Sequence, residues 1–234
     1  MKRLFIDMDG TLAECQEGTP FEIVCENGYA ANLPVNGNMV DATKSLVKLC
    51  HKKGVEVFIL SAVLDLSHSI PDKDKWLDNV LPGVFDTEHR LYVPYGMNKA
   101  EFVMQKLDAN KNSVFLSQCY LLDDYSKNIR EWTEAGGKAI KVFNGVNGRS
   151  GTFYGAYTCS WLNARQIVAD VLRNMGLRAD TWVCDIIGDL LEENRDNIEN
   201  NGGGYDLGYA EGYQEALTDV LRGVGYPATA DARE

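Results

Sequence analysis

Four short apolar runs, each closed by polar residues and separated by stretches of helical periodicity, constrain the fold more than any other feature of the chain. Leu4-Phe5-Ile6 stops at Asp7, and residues 55–60 stop at Ser61-Ala62. Cys119-Tyr120-Leu121-Leu122 stops at Asp123-Asp124, and Lys138–Phe143 stops at the turn-rich Asn144-Gly145-Val146-Asn147-Gly148. Runs this short and continuous are expected of strands buried on both faces. Between them, Asn38 is placed to cap a helix carrying Met39, Thr43, Leu46, Val47 and Cys50 on one face before Gly54. Lys99–Leu107 repeats Ala100, Val103, Met104 and Leu107 at helical spacing, and Ile129, Trp132 and Thr133 mark a helix that stops at Gly136-Gly137. Strand, helix, strand, helix in this order predicts an α/β fold with a Rossmann-like parallel sheet and ligand chemistry at the strands' C-terminal ends.

Beyond residue 155 the short β-branched runs give way to helical patterns at residues 161–175, 181–198 and 205–221, the last after the breaker Asn200-Asn201-Gly202-Gly203-Gly204. The predicted organisation is a sheet-bearing domain over residues 1–155, with a small insertion at residues 13–38, followed by a helical C-terminal extension over residues 156–234.

Composition narrows the function classes. A chain of 234 residues with 45% hydrophobic and 24% charged side chains can bury a sizeable core. The formal net charge of -11 argues against binding a nucleic-acid polymer, whose phosphates would meet like charge on most sides. A small phosphate ester is compatible with that charge, because a metal ion and one or two cations can meet it locally. The six cysteines show no C-x-x-C pair or repeated spacing, so neither a zinc site nor a disulfide framework is expected, and His51, His68 and His89 lack metal-ligand spacing. The apolar stretch after Met1-Lys2-Arg3 is too short for a signal-peptide core, and no run is long enough to span a bilayer, so a cytoplasmic location is expected.

The chemistry concentrates in Asp7-Met8-Asp9-Gly10-Thr11, directly after the first strand. A carboxylate at a strand end can attack phosphorus, and a second two residues on can protonate the leaving oxygen and later activate water. Gly10 lets the backbone turn sharply, and Thr11 can add a hydroxyl. Paired acids such as Asp123-Asp124 at another strand end repel one another without a cation, which is a physical reason to expect a metal there. Lys99 opens a helix and supplies a cation, with Lys73 and Lys75 as competitors for that role; Ser61 ends the second strand.

These segments, in this order, resemble the four motifs of the haloacid dehalogenase superfamily (the HAD fold), the first being D-x-D-G-T. The resemblance implies a Mg²⁺-dependent phosphatase with Asp7 as nucleophile and Asp9 as acid and base. It further implies Thr11, Ser61 and Lys99 at the phosphate, Mg²⁺ held by Asp7, the carbonyl of Asp9 and Asp123, and Asp124 holding a metal-bound water from behind. Asp9 separates the chain from the dehalogenases and cation-pumping ATPases of that superfamily, which resemble the motif but carry no acid there. Gly28-Tyr29-Ala30-Ala31-Asn32-Leu33-Pro34, and Trp76 after Lys73 and Lys75, are similar to the 5′(3′)-deoxyribonucleotidase family. By that likeness the substrate is a nucleoside monophosphate, with Phe21 or Tyr29 available to stack on a base; a phosphatase for another small phosphate ester is the alternative. A reading from a different class makes the protein an interaction module, with Tyr205, Tyr209 and Tyr213 beside Gly208 and Gly212 forming a stripe that joins helices of a homo-oligomer.

Overall fold

The first apolar run forms the centre of a sheet, and the rest of the architecture is arranged around it. The computed structural model describes residues 1–14, 18–107, 115–147 and 155–177. Strand β1 (Arg3–Ile6) is flanked by β2 (Glu56–Val63) and β4 (Cys119–Asp123). Beyond these lie β3 (Arg90–Pro94) on one side, and β5 (Lys138–Phe143) followed by β6 (Ala156–Cys159) on the other. All five pairings are parallel, giving the strand order 3-2-1-4-5-6. The chain is therefore an α/β protein with a Rossmann-like sheet, and the order reverses between β1 and β4.

Leu4, Phe5 and Ile6 are fully buried, as a central parallel strand requires. Phe5 stacks on Phe58 with centroids 5.2 Å apart and meets the edge of Trp132 at 5.4 Å. Around this trio Leu60, Val103 and Leu121 close one core cluster. Strand alternation turns Leu4 and Ile6 to the opposite face. The crossover helices are α2 (Gly37–Lys52), α3 (Ser69–Val80), α4 (Lys99–Leu107) and α5 (Ser126–Glu134), while α6 (Ala164–Asn174) follows the last strand and packs beside α2. A short helix α1 (Phe21–Val24) and a 3-10 turn at Ala30–Asn32 lie in the segment between β1 and α2. Among the described residues no helix is long and apolar enough to cross a membrane.

Several expectations need correction. The cap of α2 is Asn36, whose side chain accepts from the Met39 N–H at 3.2 Å, so the helix begins ahead of Asn38. Helix α3 and strands β3 and β6 were not expected. β6 extends the sheet past residue 155, and the compact unit carrying the sheet runs Met1–Gly176. Helix α6 starts at Ala164, later than residue 161, because Asn163 and Gln166 form a reciprocal capping box there. The glycine pair after α5 divides its labour. Gly136 takes φ +91° to end the helix, and a Cβ on Gly137 would sit 2.3 Å from the Trp132 indole nitrogen. The helices expected at residues 181–198 and 205–221, with the Tyr205 stripe, lie outside the described residues.

Candidate active site

Every chemically notable side chain of the first motif leaves the sheet at its C-terminal edge, where the strand order reverses. The Asp7 N–H donates to the Leu122 carbonyl at 2.9 Å, so the ends of β1 and β4 are fastened where each becomes acidic. Lys99 is the first residue of α4, and Asn98 caps that helix by accepting from the Ala100 N–H at 2.8 Å. The cap fixes the direction of the Lys99 side chain. Its Nζ donates to Asp7 Oδ1 at 2.6 Å and to Asp123 Oδ2 at 2.7 Å, with all three residues at most 5% exposed. Asp123 also accepts from the Asn128 side chain at 2.9 Å and from the Tyr125 N–H at 2.7 Å.

Asp124 stands beside this pair. Carboxylate oxygens of Asp7, Asp123 and Asp124 all lie within 4.8 Å of one another. The sequence placed Asp124 behind a bound water; its carboxylate lies within the same 4.8 Å cluster as the other two. Asn144, in the turn after β5, donates to Asp124 Oδ2 at 2.9 Å and to the Gly10 carbonyl at 2.7 Å, joining the loops of β1 and β4. Asn147 donates to the Asp124 carbonyl at 2.8 Å, and the buried Lys141 also donates to that carbonyl and to Ser126 Oγ at 2.8 Å. Sequence reasoning saw only a turn at 144–148. A polar residue pair after a strand end that lies next to an acidic one was the available signal.

Gly10 is required by this packing. It takes φ +79°, and a Cβ there would fall 2.4 Å from Asp124 Oδ2. Gly10→Ala is expected to incur about 1–2 kcal/mol of left-handed strain and to push Asp124 out of the cluster. Thermal melting should show the stability loss, and a Mg²⁺ titration followed calorimetrically should show weakened binding.

Burial sets the electrostatics. It pushes the Asp7 carboxyl well above its ordinary value; Lys99 opposes this, and Asp123, Asp9 and Asp124 add to it. Burial and then Asp123 raise Asp124 from 3.8 to about 6. For Lys99 burial works against the charge, but the Asp123 and Asp7 carboxylates outweigh it and hold the ammonium above its ordinary value. Burial also raises the Cys50 thiol to about 12 and the Cys119 thiol to about 11, which removes both as nucleophiles.

Three buried carboxylates around one point, with one shared lysine, leave an excess of negative charge that a hard divalent cation with oxygen ligands would neutralise. A carboxyl raised in the folded state makes folding less favourable as pH rises from the unfolded value through the folded one. Without a divalent ion the Asp124 contribution therefore declines from about pH 4 to about pH 6. An added cation removes that penalty, so the rise in melting temperature on adding Mg²⁺ should be larger at pH 7.5 than at pH 5. Equal shifts at the two pH values would contradict this account.

The second half of the site is built on Asp9 and α3. Lys73, 5% exposed, pairs with the Asp9 carboxylate and donates to Ser61 Oγ at 2.7 Å. Ser61 Oγ lies 3.5 Å from Asp9 Oδ2. Two buried lysines thus engage the carboxylates with separate partners, Lys99 on Asp7 and Asp123, Lys73 on Asp9 and Ser61, while the buried Lys141 reaches the Asp124 carbonyl and Ser126. Lys75 is exposed. Thr11 is fully buried, and its hydroxyl has no hydrogen-bond partner among the described residues.

Helix α3 is held against the segment after β1. Asp72 accepts from the Gly28 N–H at 2.7 Å, and Trp76 Nε1 donates to the Leu33 carbonyl at 2.8 Å. The two stretches that the sequence analysis singled out, residues 28–34 and Trp76, therefore meet. Tyr29, Ala30 and Leu33 of the first stretch, with Ser69, Asp72 and Lys73 of α3, line a pocket of about 360 Å³ that opens on Asp9 and also includes Phe21 and Tyr95.

No family model matches the chain, and no curated protein sequence matches it. Among solved structures, an uncharacterised protein from Corynebacterium glutamicum is similar at 18% identity and TM-score 0.41, covering 76% of this chain and 97% of that one. D,D-heptose 1,7-bisphosphate phosphatase from Burkholderia thailandensis is similar at 11% identity and TM-score 0.45, covering 74% of this chain and 99% of that one.

Proposed function

We propose that the protein is a phosphomonoester hydrolase of the haloacid dehalogenase superfamily that uses Mg²⁺ and an aspartyl-phosphate at Asp7, with nucleoside monophosphates as substrates. The observation that carries this reading is the Lys99 bridge between Asp7 and Asp123, at the sheet's reversal point, with Asp124 beside them and Asp9 facing a pocket. Asp7, Asp123 and Asp124 would hold the metal with their carboxylates, and the Asp9 carbonyl is the further donor expected from the motif. Bound there, Mg²⁺ would offset charge on the phosphoryl oxygens and on the attacking carboxylate.

The chain's own groups account for the remaining steps. An Asp7 oxygen attacks phosphorus as the bond to the ester oxygen breaks, and that oxygen takes a proton from Asp9. Asp9, now a carboxylate, accepts a proton from water as the water attacks phosphorus; the bond to Asp7 breaks and inorganic phosphate leaves. Lys99 orients Asp7 and opposes the burial that favours its neutral form. Ser61 and Lys73 supply a hydroxyl and a second cation on the side of Asp9, where the phosphoryl oxygens would lie. Thr11, whose buried hydroxyl has no hydrogen-bond partner among the described residues, completes the proposed phosphate-binding set.

Nucleotide specificity rests on the pocket. Phe21 and Tyr29, the two aromatics proposed to stack on a base, both line it. The test is Mg²⁺-dependent phosphate release across nucleoside and deoxynucleoside monophosphates, with sugar phosphates as controls. Release from sugar phosphates alone would sink the nucleotidase reading and leave a phosphatase for another small ester. No release from any of them would sink both.

A further inference from the structure

The pocket beside Asp9 is unevenly charged. Its lining includes the apolar and aromatic Phe21, Tyr29, Leu64 and Tyr95, of which Phe21 and Tyr95 are exposed, while Glu14, Glu26 and Asp72 contribute carboxylates besides that of Asp9. Lys73 is the one lysine or arginine among its described lining residues, and its ammonium is engaged by Asp9 and Ser61. Asp72 accepts one backbone N–H at 2.7 Å and has no cationic partner among the described residues. Glu14 and Glu26 are exposed at the rim, and neither carboxylate has a hydrogen-bond or ion-pair partner among the described residues. His68 also lines the pocket, and one of its ring nitrogens lies 3.2 Å from the Cys25 carbonyl.

Resting on the phosphatase reading, we infer that this pocket selects esters whose leaving group carries no second phosphate: neutral or amine-bearing alcohols about the size of a nucleoside. The volume of about 360 Å³ suits such a group. The aromatic lining residues take its apolar face, and the carboxylates accept from its hydroxyl and amino hydrogens. A second phosphate would bring about two negative charges toward three carboxylates, with no free lysine or arginine among the described lining residues to receive it, in a concavity that focuses the field. Discrimination of this kind works by repulsion, and it acts on binding more than on the chemical step.

The experiment compares matched pairs on the full chain with Mg²⁺: a nucleoside 5′-monophosphate against its 3′,5′-bisphosphate, and a hexose monophosphate against the corresponding bisphosphate. p-Nitrophenyl phosphate serves as a neutral reference ester. The expected result is a kcat/KM at least tenfold higher for the monophosphate of each accepted pair, carried mainly by KM. The variant Glu14→Lys combined with Glu26→Lys should narrow that ratio several-fold, and raising salt should narrow it further. Equal or better turnover of the bisphosphates, or a ratio indifferent to the double substitution, would overturn the selectivity while leaving the hydrolase intact. Failure to release phosphate even from p-nitrophenyl phosphate would overturn the underlying phosphatase reading, and the selectivity with it.

Discussion

On the proposed mechanism, replacing Asp7 by Asn is expected to reduce phosphate release at least ~10⁴-fold, since an amide in place of the proposed nucleophile leaves no route to an acyl-phosphate. The fold should survive. Asp7 is a buried acid raised by burial and by three neighbouring carboxylates, so a neutral isostere relieves repulsion, and Lys99 retains Asp123 as a partner. Circular dichroism and melting of Asp7→Asn separate loss of chemistry from loss of structure. Asp9→Asn makes a complementary comparison on the same mechanism. Its defect should be smaller for p-nitrophenyl phosphate, whose leaving group needs little protonation, than for an alkyl phosphate. Appreciable turnover by Asp7→Asn would remove the covalent step.

Lys99→Met is expected to have the largest effect on stability, with loss of activity alongside. Removing one member of a buried ionic cluster leaves the other charges uncompensated, which costs about 3–5 kcal/mol. Here two acids 7% and 0% exposed would face each other without the ammonium that now lies 2.6 and 2.7 Å from them. The cluster can recover in two ways, by protonation of Asp7, whose carboxyl burial already raises, or by capturing a divalent cation. Urea denaturation of Lys99→Met should therefore show a deficit that shrinks when pH is lowered from 7.5 to 5, and shrinks again on adding Mg²⁺. A variant as stable as the parent at pH 7.5 without Mg²⁺ would mean that the bridge contributes little.

The sheet's interior was legible because its strands announce themselves. β1, β2, β4 and β5 are apolar runs with polar ends, and being buried on both faces leaves them little choice of residue. The edges were not. In β3 only Leu91 and Val93 are buried, flanked by Arg90, Tyr92 and Pro94, and in β6 only Thr158 is. An edge strand needs no continuous apolar run, and a proline at its end forfeits no ladder bond. Helix α3 hid for another reason. Its buried face includes Ser69, Asp72 and Lys73 as well as Trp76 and Leu77, so apolar periodicity does not trace it, and Pro71 in the first turn looks like a breaker.

The candidate site divides the same way. Asp7, Asp9, Ser61, Lys99, Asp123 and Asp124 were visible because each follows or closes an apolar run in the sequence or opens a recognisable helix, although β2 continues past Ser61 to Val63. Lys73 was visible only as a rival to Lys99, whereas the structure gives each lysine its own pair of oxygens. Asn144 and Asn147 reach Asp124 across strands, and no local pattern records a contact between residues so far apart in the chain.

The strand order has a further consequence for how the protein comes into being. β1 ends at Ile6, yet one of its two neighbours, β4, begins only at Cys119. Until that neighbour docks, β1 keeps an open edge, and Asp7 has neither Asp123 nor Asp124 nearby. Closing so long a loop is entropically costly and slow. The step that seals the sheet is also the one that crowds the carboxylates together, so the final closure of the fold is opposed by the very charges its chemistry would use, and a divalent ion present at that moment would ease it.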